Sequence, residues 1–408
     1  MYLFKNGRLF DGHTDHLLDG YEVLVEGKRI IEVSPTPIKS ASATVIDLHG
    51  KSLLPGLIDA HFHCIAAHPD LSAIDDMPDS LLWQHARKFL EASLSRGFTT
   101  IRDAGGADYG LANAVDTGLI SGPRLFYAGR ALSQTGGHGD FRPFGATPAL
   151  CACGLGVGRI ARVADGVTEV RKAARDELRK GATQIKIMGS GGVASPSDPI
   201  WNIQYSEEEI RAVVWEAESW QKYVMAHAYT PEAITRCLEF GVRSIEHANL
   251  IDAPTAKLAL EKGAFVVPTL STYESLARRE ADLGFPTVSL EKLATVRDEG
   301  LSALDLLHTT GVKIGFGTDL LGSMHEDQLT EFEIRSRVLP PITILRQATS
   351  INAELLNKEG ELGCIAPGAV ADLIVVEGDP LTDIGLLSGQ GEHISAVMKD
   401  GVLERNRM

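Results

Sequence analysis

The chain has 408 residues, 44% hydrophobic and 23% charged, the composition of a globular protein with a substantial core. Its net charge of −15 argues against nucleic acid or an anionic membrane surface as partner. No apolar run approaches the ~20 residues that span a bilayer, and Met1-Tyr-Leu-Phe-Lys-Asn-Gly7 lacks a signal-peptide pattern, so a cytoplasmic location is expected.

In chain order, the first fifty residues read as short strands with turns. Tyr2-Leu-Phe precedes Asn6-Gly7, and Glu22 to Glu26, Arg29 to Val33 and Thr44 to Leu48 alternate or carry β-branched residues. The C-terminal end has the same texture, in Ala371 to Val376, Ile394 to Met398 and a last strand after Asp400-Gly401. These ends predict one composite β-sandwich domain, residues 1–55 plus 360–408, with residues 56–359 inserted between its halves.

The middle alternates apolar β-type runs with helical patterns, as parallel βα units do. The expected strands are Leu57 to His63, Thr100 to Asp103, Arg124 to Ala128, Gln184 to Met188, Tyr223 to His227, Ser244 to His247, Phe265 to Pro268 and Lys313 to Gly317. Helices are expected over Val167 to Lys180 and Glu207 to Gln221, the second opened by the capping box Ser206-Glu-Glu-Glu209, and Pro340-Pro341 starts another that runs into Leu345 to Thr349. The connection from Asp103 to Ala182 reads as one strand and much loop. The fold class expected is a (β/α)8 TIM barrel, with a doubly wound open sheet as competitor. Polar residues at strand ends across the whole middle favour the barrel.

Five cysteines at irregular spacing (Cys64, Cys151, Cys153, Cys237, Cys364) do not read as a disulfide framework. Cys151 and Cys153 lack a second pair at zinc-finger spacing. The glycine-rich stretches 134–140, 154–158 and 189–199 fit no phosphate-cradle pattern.

The sharpest local feature is Asp59-Ala-His61-Phe-His63. Alternate side chains of a strand face one way, so two imidazoles two residues apart can bind one ion. Downstream, Lys186, His227, His247 and Asp319 each lie at or near the end of an apolar strand run, where barrel enzymes place catalytic groups. A lysine inside such a run is costly to bury as a cation. Tyr229 shares a face with His227, so its phenol can donate to a carbonyl oxygen.

With His-x-His ending strand one, Lys ending strand four, His ending strands five and six and Asp ending strand eight, the chain resembles the amidohydrolase superfamily. The stretch Gly363-Cys-Ile-Ala-Pro-Gly-Ala-Val-Ala-Asp-Leu373 extends the resemblance over nearly the whole length. The resemblance implies two divalent metal ions, Zn2+ first with Mn2+, Co2+ or Fe2+ open, and a carbamate on Lys186 bridging them. His61, His63 and Asp319 would hold the more buried ion, and His227 with His247 the more exposed one. It also implies that a metal-bridged hydroxide attacks an amide carbonyl while Asp319 carries the proton to the leaving nitrogen.

Within the superfamily the chain is most similar to the microbial prolidase-like branch, dipeptidases acting on L-Xaa-L-Pro or L-Xaa-L-Arg. There His138, in Gly-Gly-His-Gly-Asp140, would meet the substrate α-carboxylate. No acidic residue claims a cation pocket, and Trp201 and Tyr205 can wall an apolar one, so Xaa-Pro is favoured over Xaa-Arg or Xaa-Lys. An N-acyl-amino-acid or ochratoxin-type amidase would use the same site. Lys186 argues against the imidazolonepropionase-like members, and the six filled ligand positions argue against a non-catalytic barrel scaffold. The partner expected is a small-molecule or dipeptide substrate, with assembly as a homo-oligomer. The remaining histidines read as surface or packing residues.

Overall fold

The computed structural model describes residues 1–142, 158–195, 198–279 and 287–408. Cys151, Cys153, Gly154 and Gly156 lie outside the described residues.

The apolar runs of the middle fold as parallel strands. We number these β1 (Leu57–Phe62), β2 (Phe98–Asp103), β3 (Arg124–Tyr127), β4 (Ile185–Met188), β5 (Val224–Ala228), β6 (Ser244–His247), β7 (Phe265–Val267) and β8 (Lys313–Ile314). All lie where the sequence places them, β8 being the most shortened. Only Arg124 and Lys313, at strand starts, escape full burial. Burial on both faces is why these strands read as continuous apolar runs and not as alternating ones.

One parallel sheet has the order β3-β2-β1. The other runs Ala161–Val163, Ala131–Ser133, β4, β5, β6, β7, β8. Backbone hydrogen bonds join both edges of the three-stranded sheet to the larger one. Thr183 N donates to Tyr127 O at 2.8 Å, and Ala60 N donates to Phe316 O at 2.8 Å. Helices follow the strands, among them Gly166–Arg179, Glu207–Ser219 and Pro231–Glu239. The predicted capping box is present, with the Ser206 side chain accepting from Glu209 N and the Glu209 carboxylate from Ser206 N. Pro341 opens the helix Pro341–Arg346 as expected.

The connection between β2 and β4 is richer than one strand and loop. Besides β3 it holds the helix Tyr109–Asp116, strands Ala131–Ser133 and Ala161–Val163, and the helix Gly166–Arg179. Strands three residues long carry too little pattern to be read from sequence.

Strands from the two ends of the chain pair with each other. Val402–Asn406, Ile394–Lys399, Leu373–Val376, Ser52–Pro55, Arg8–Leu9 and Leu18–Asp19 form one sheet in that order. A second sheet contains Arg29–Ser34, Glu22–Glu26, Tyr2–Lys5 and Thr44–Asp47. Phe4, Val25 and Ile30 from one sheet share an apolar cluster with Leu53, Leu373, Val375 and Met398 from the other.

Candidate metal centre and active site

Parallel pairing brings the carboxyl ends of the central strands to one rim. β1 delivers His61 and His63, β4 Lys186, β5 His227 and β6 His247, with Asp319 following β8. These six, together with His138 and Tyr229, line one cavity of about 60 Å³. The six expected metal-site residues, His138 and Tyr229 are therefore gathered at a single place. Trp201 and Tyr205 are not. Trp201 is 74% exposed and Tyr205 is buried elsewhere, so neither walls the cavity. The apolar wall comes instead from Leu71, Phe141, Ile160, Val193, Leu276 and Leu321.

Two local distortions build the rim. His247 and Asp319 have φ of 76° and 55°, the left-handed region that costs an ordinary residue energy. In a regular strand Glu246 and His247 would face opposite ways. The turn at His247 lets both reach the same centre. Gly317 allows the second close approach, because a Cβ there would lie 2.7 Å from the Cβ of His61. The chain after β8 thus closes on β1, and Asp319 N donates to His61 O at 2.8 Å.

Hydrogen bonds use one nitrogen of each imidazole. His61 Nδ1 lies 2.7 Å from Glu246 Oε2, and His63 Nδ1 lies 3.0 Å from Gly105 O. His247 Nδ1 lies 2.7 Å from Thr269 Oγ1, and His227 Nε2 lies 3.2 Å from Gly191 O. For His61, His63 and His227 the partner is a carboxylate or carbonyl, which can only accept, so the bonded nitrogen carries the hydrogen and the other keeps its lone pair. That is the arrangement of metal-ligating histidines. His61 Nε2 is the clearest case: it is buried, without a hydrogen-bond partner, and 3.5 Å from Asp319 Oδ1. An orphaned buried acceptor costs about 1–3 kcal/mol unless something fills it. The donor set fits a divalent ion.

His63 Nε2 lies 3.2 Å from the same Asp319 oxygen. Ligand atoms of His61, His247 and Asp319 lie within 4.8 Å of one another. This tightest trio takes one histidine from each expected ion pair, so the two expected sets lie against each other at one centre.

Burial sets the charge states. It drives the imidazoles of His61, His227 and His247 well below their ordinary range, leaving them neutral. Burial pulls His63 the same way, but its contact with Asp319 outweighs this and raises it. For Asp319, burial raises the carboxyl, while His61, His63 and Lys186 together hold it below its usual value. Burial pushes the Lys186 amine down to about 8, against attraction from Glu246 and Asp319.

Several supporting residues escaped sequence reading. Glu246 is fully buried and holds Arg102 through both carboxylate oxygens, at 2.9 and 2.8 Å. Asp59 accepts from Thr318 Oγ1 at 2.7 Å and Gln328 Nε2 at 2.9 Å, tying β1 to the Asp319 segment. Tyr273 meets Tyr229 hydroxyl to hydroxyl at 2.9 Å. Charged residues inside apolar strand runs, as Arg102 and Glu246 are, were the available signal.

A profile of the amidohydrolase family matches residues 52–403. The chain belongs to the amidohydrolase family. Amidohydrolases generally use divalent metals, in keeping with the His61, His247 and Asp319 group. Among solved structures, this amidohydrolase is similar to a prolidase complexed with N-methylphosphonate-L-proline, at 51% identity, TM-score 0.96 and 99% coverage of both chains. It is also similar to a Xaa-Pro dipeptidase with bound methionine, 32% identical with TM-score 0.89, covering 98% of this chain and 99% of that one. Ochratoxinase of Aspergillus niger is 33% identical over 366 residues, 86% of this chain and 75% of the relative. The chain therefore falls with the prolidase-like branch and is a hydrolase acting on C–N bonds. Among the described residues, no helix is long and apolar enough to cross a membrane.

Proposed function

We propose that this amidohydrolase is a dipeptidase that cleaves L-Xaa-L-Pro at a two-metal site. The observation that carries the substrate reading is the cavity lining. Among the described lining residues Asp319 is the one carboxylate, and the walls are otherwise apolar apart from the histidines, Lys186, Thr272 and two tyrosines. Burying a cationic side chain without a counter-charge costs several kcal/mol, which disfavours arginine or lysine in the substrate. A proline ring needs only apolar contact. The 51% identical prolidase holds a proline phosphonate, which supports the same reading.

His61, His63 and Asp319 would hold one ion and His227 with His247 the other, and Lys186, as a carbamate, would be a ligand to both. Zn2+ suits the imidazole and carboxylate ligands. When bound, the ions supply a nucleophilic water at neutral pH and polarise the scissile carbonyl. Lys186 can react with CO2 only as the neutral amine, and burial brings that form within reach near pH 8. Its nitrogen bonds to the CO2 carbon and releases a proton, leaving the carbamate anion.

Asp319, held ionised, accepts the proton released on attack and returns it to the leaving nitrogen. Burial raises the Tyr229 phenol above its usual range, so it stays protonated and can donate to the carbonyl oxygen. His138 stacks on His227 at 4.3 Å between ring centres and is assigned to the substrate α-carboxylate. The two parallel sheets are read as one eight-stranded barrel, residues 56–359, with residues 1–55 plus 360–408 as the composite β domain.

A panel of dipeptides with proline, arginine, lysine and neutral residues at the C-terminal position tests this reading. Turnover restricted to Xaa-Pro is expected. Preference for basic residues, or no turnover with metal loaded, overturns it. The second reading is an ochratoxin-type amidase, favoured by the ochratoxinase similarity, and N-acyl amino acids in the same panel test it.

A further inference from the structure

A second cleft, of about 620 Å³, lies outside the metal centre and shares no lining residue with it. That volume falls in the range of small-molecule sites. One wall is the helix Asp79–Ser95, where His85, Lys88, Phe89 and Ala92 recur at helical spacing and line the cleft. Arg96 follows at the helix end. It is only 5% exposed, donating from Nε to Gln390 Oε1 at 2.8 Å and from Nη1 to His325 O at 3.0 Å. Among the described residues its Nη2 has no acceptor and no carboxylate pairs with it; Glu326 and Asp327 attract it from farther off. Taking a charge out of water without a counter-ion is costly. On the same helix Arg87 pairs with Glu91, whereas Lys88 pairs with no carboxylate among the described residues. His325 also lines the cleft, 3% exposed, and neither of its ring nitrogens has a hydrogen-bond partner among the described residues.

Facing the helix are the two segments that follow His63 and Asp319. Ala67 and Pro69 belong to the first, Gly322 and His325 to the second, and Gly322 N donates to Ala66 O at 2.7 Å. The His325 ring packs between Phe62 and Phe89, at 4.5 and 4.2 Å between ring centres, and Phe62 stands between His61 and His63 in the chain. We propose that this cleft is a second ligand site, for a small carboxylate with an apolar body, whose occupant steadies the segments that follow His63 and Asp319. Lys88 and Arg96 supply two permanent positive charges in a chain of net charge −15. A guanidinium fork suits a planar carboxylate. Phe89, Ala67 and Ala92 offer the apolar contact. Glu326, on the same lining, repels a second negative charge and so favours a monocarboxylate over a phosphate. A ligand that bridges the two segments opposes their separation, because it binds only the closed arrangement. The inference does not depend on which amide the metal centre cleaves.

The test uses the metal-loaded full chain and hydrocinnamate, followed by titration calorimetry. Saturable binding is expected, and the neutral amide of the same acid should bind at least about tenfold more weakly, the worth of one charged hydrogen bond. Lys88→Met removes a cation at an exposed position, and Ala92→Phe fills the cleft without altering its charges. Each should weaken hydrocinnamate binding about tenfold or more. Loss of metal to a chelator should slow severalfold when hydrocinnamate saturates the wild type, and should not slow in Ala92→Phe. A carboxylate that merely ligates the metal would bind both variants as tightly as the wild type, and that result overturns the site. Absence of binding, or equal binding of the amide, overturns it too. Binding with an unchanged rate of metal loss overturns the link to the segments that follow His63 and Asp319.

Discussion

Glu246 Oε2 lies 2.7 Å from His61 Nδ1 and 2.8 Å from Arg102 Nη2, so one buried carboxylate orients a metal-site imidazole and neutralises a buried guanidinium. Arg102 is anchored further by Ala60 O at 2.5 Å and Ser244 Oγ at 3.2 Å, and Ser244 Oγ itself donates to Glu246 Oε1 at 2.5 Å. The parallel strands thus carry a buried charged network against the site. Its fixed partners leave His61 one tautomer, with Nε2 turned to the centre.

Glu246→Ala should therefore fail in two ways. It strands Arg102, and removing one partner of a buried ion pair costs about 3–5 kcal/mol. It also frees the His61 ring, and loss of such an orienting carboxylate lowers metal affinity about 10–100-fold. Glu246→Gln keeps the shape and should retain more stability than metal affinity. Thermal melts and metal titrations of both variants check this, and equal loss of the two properties in Glu246→Gln would count against the orienting role.

Lys186 gives a pH dependence with a definite sign. Its folded value, about 8, lies below the ordinary 10.5 because of burial, so between those values the unfolded chain binds the proton more readily. Stability of the metal-free protein should rise as pH is raised through that window, and fall as pH drops toward 8. Lys186→Met should flatten this slope when its melting temperature is compared with wild type. In the metal-loaded protein, intact mass should carry the added mass of one CO2 beyond chain and metal. Lys186→Ala should lose activity and recover part of it with a small added carboxylic acid.

The residues gathered at the site were legible because each lies at or near the end of an apolar run, a pattern that survives without tertiary information. His61 and His63 could be paired by strand alternation, and Lys186 stood out as a charge with no reason to be buried. Glu246 could not be assigned, because alternation puts it opposite His247 and only the φ of 76° brings both to one side. Trp201 misled for the converse reason. An aromatic side chain near a strand end says nothing of which way its loop turns.

Asp319→Asn separates metal binding from proton transfer. The backbone there is left-handed, with φ of 55°, a conformation asparagine tolerates, so the variant should fold. Its side-chain oxygen can still ligate, but the amide accepts no proton. Metal content near wild type with kcat lowered at least about 100-fold is expected. Near wild-type turnover would remove Asp319 from the proton-carrying role.

Lys292 fastens the loop after β4 over the site. Its Nζ donates to three carbonyls, Gly192 O at 3.2 Å, Ser195 O at 2.8 Å and Asp198 O at 2.6 Å. The same loop presents Gly191 O to His227 and the Asp198 carboxylate to His138 Nδ1 at 3.8 Å. Gly192 packs against the His138 ring so closely that a Cβ would lie 2.2 Å from Cε1. Lys292→Met keeps the length of the stem and removes the donors. Each lost charged hydrogen bond is worth about 1.5–3 kcal/mol in a buried setting, less here because Lys292 is only partly buried. KM for a dipeptide should rise about tenfold, with a smaller effect on the C-terminal amide of the same dipeptide, which lacks the carboxylate that His138 would meet. An equal rise in KM for both substrates would show that Lys292 supports the loop without bearing on His138.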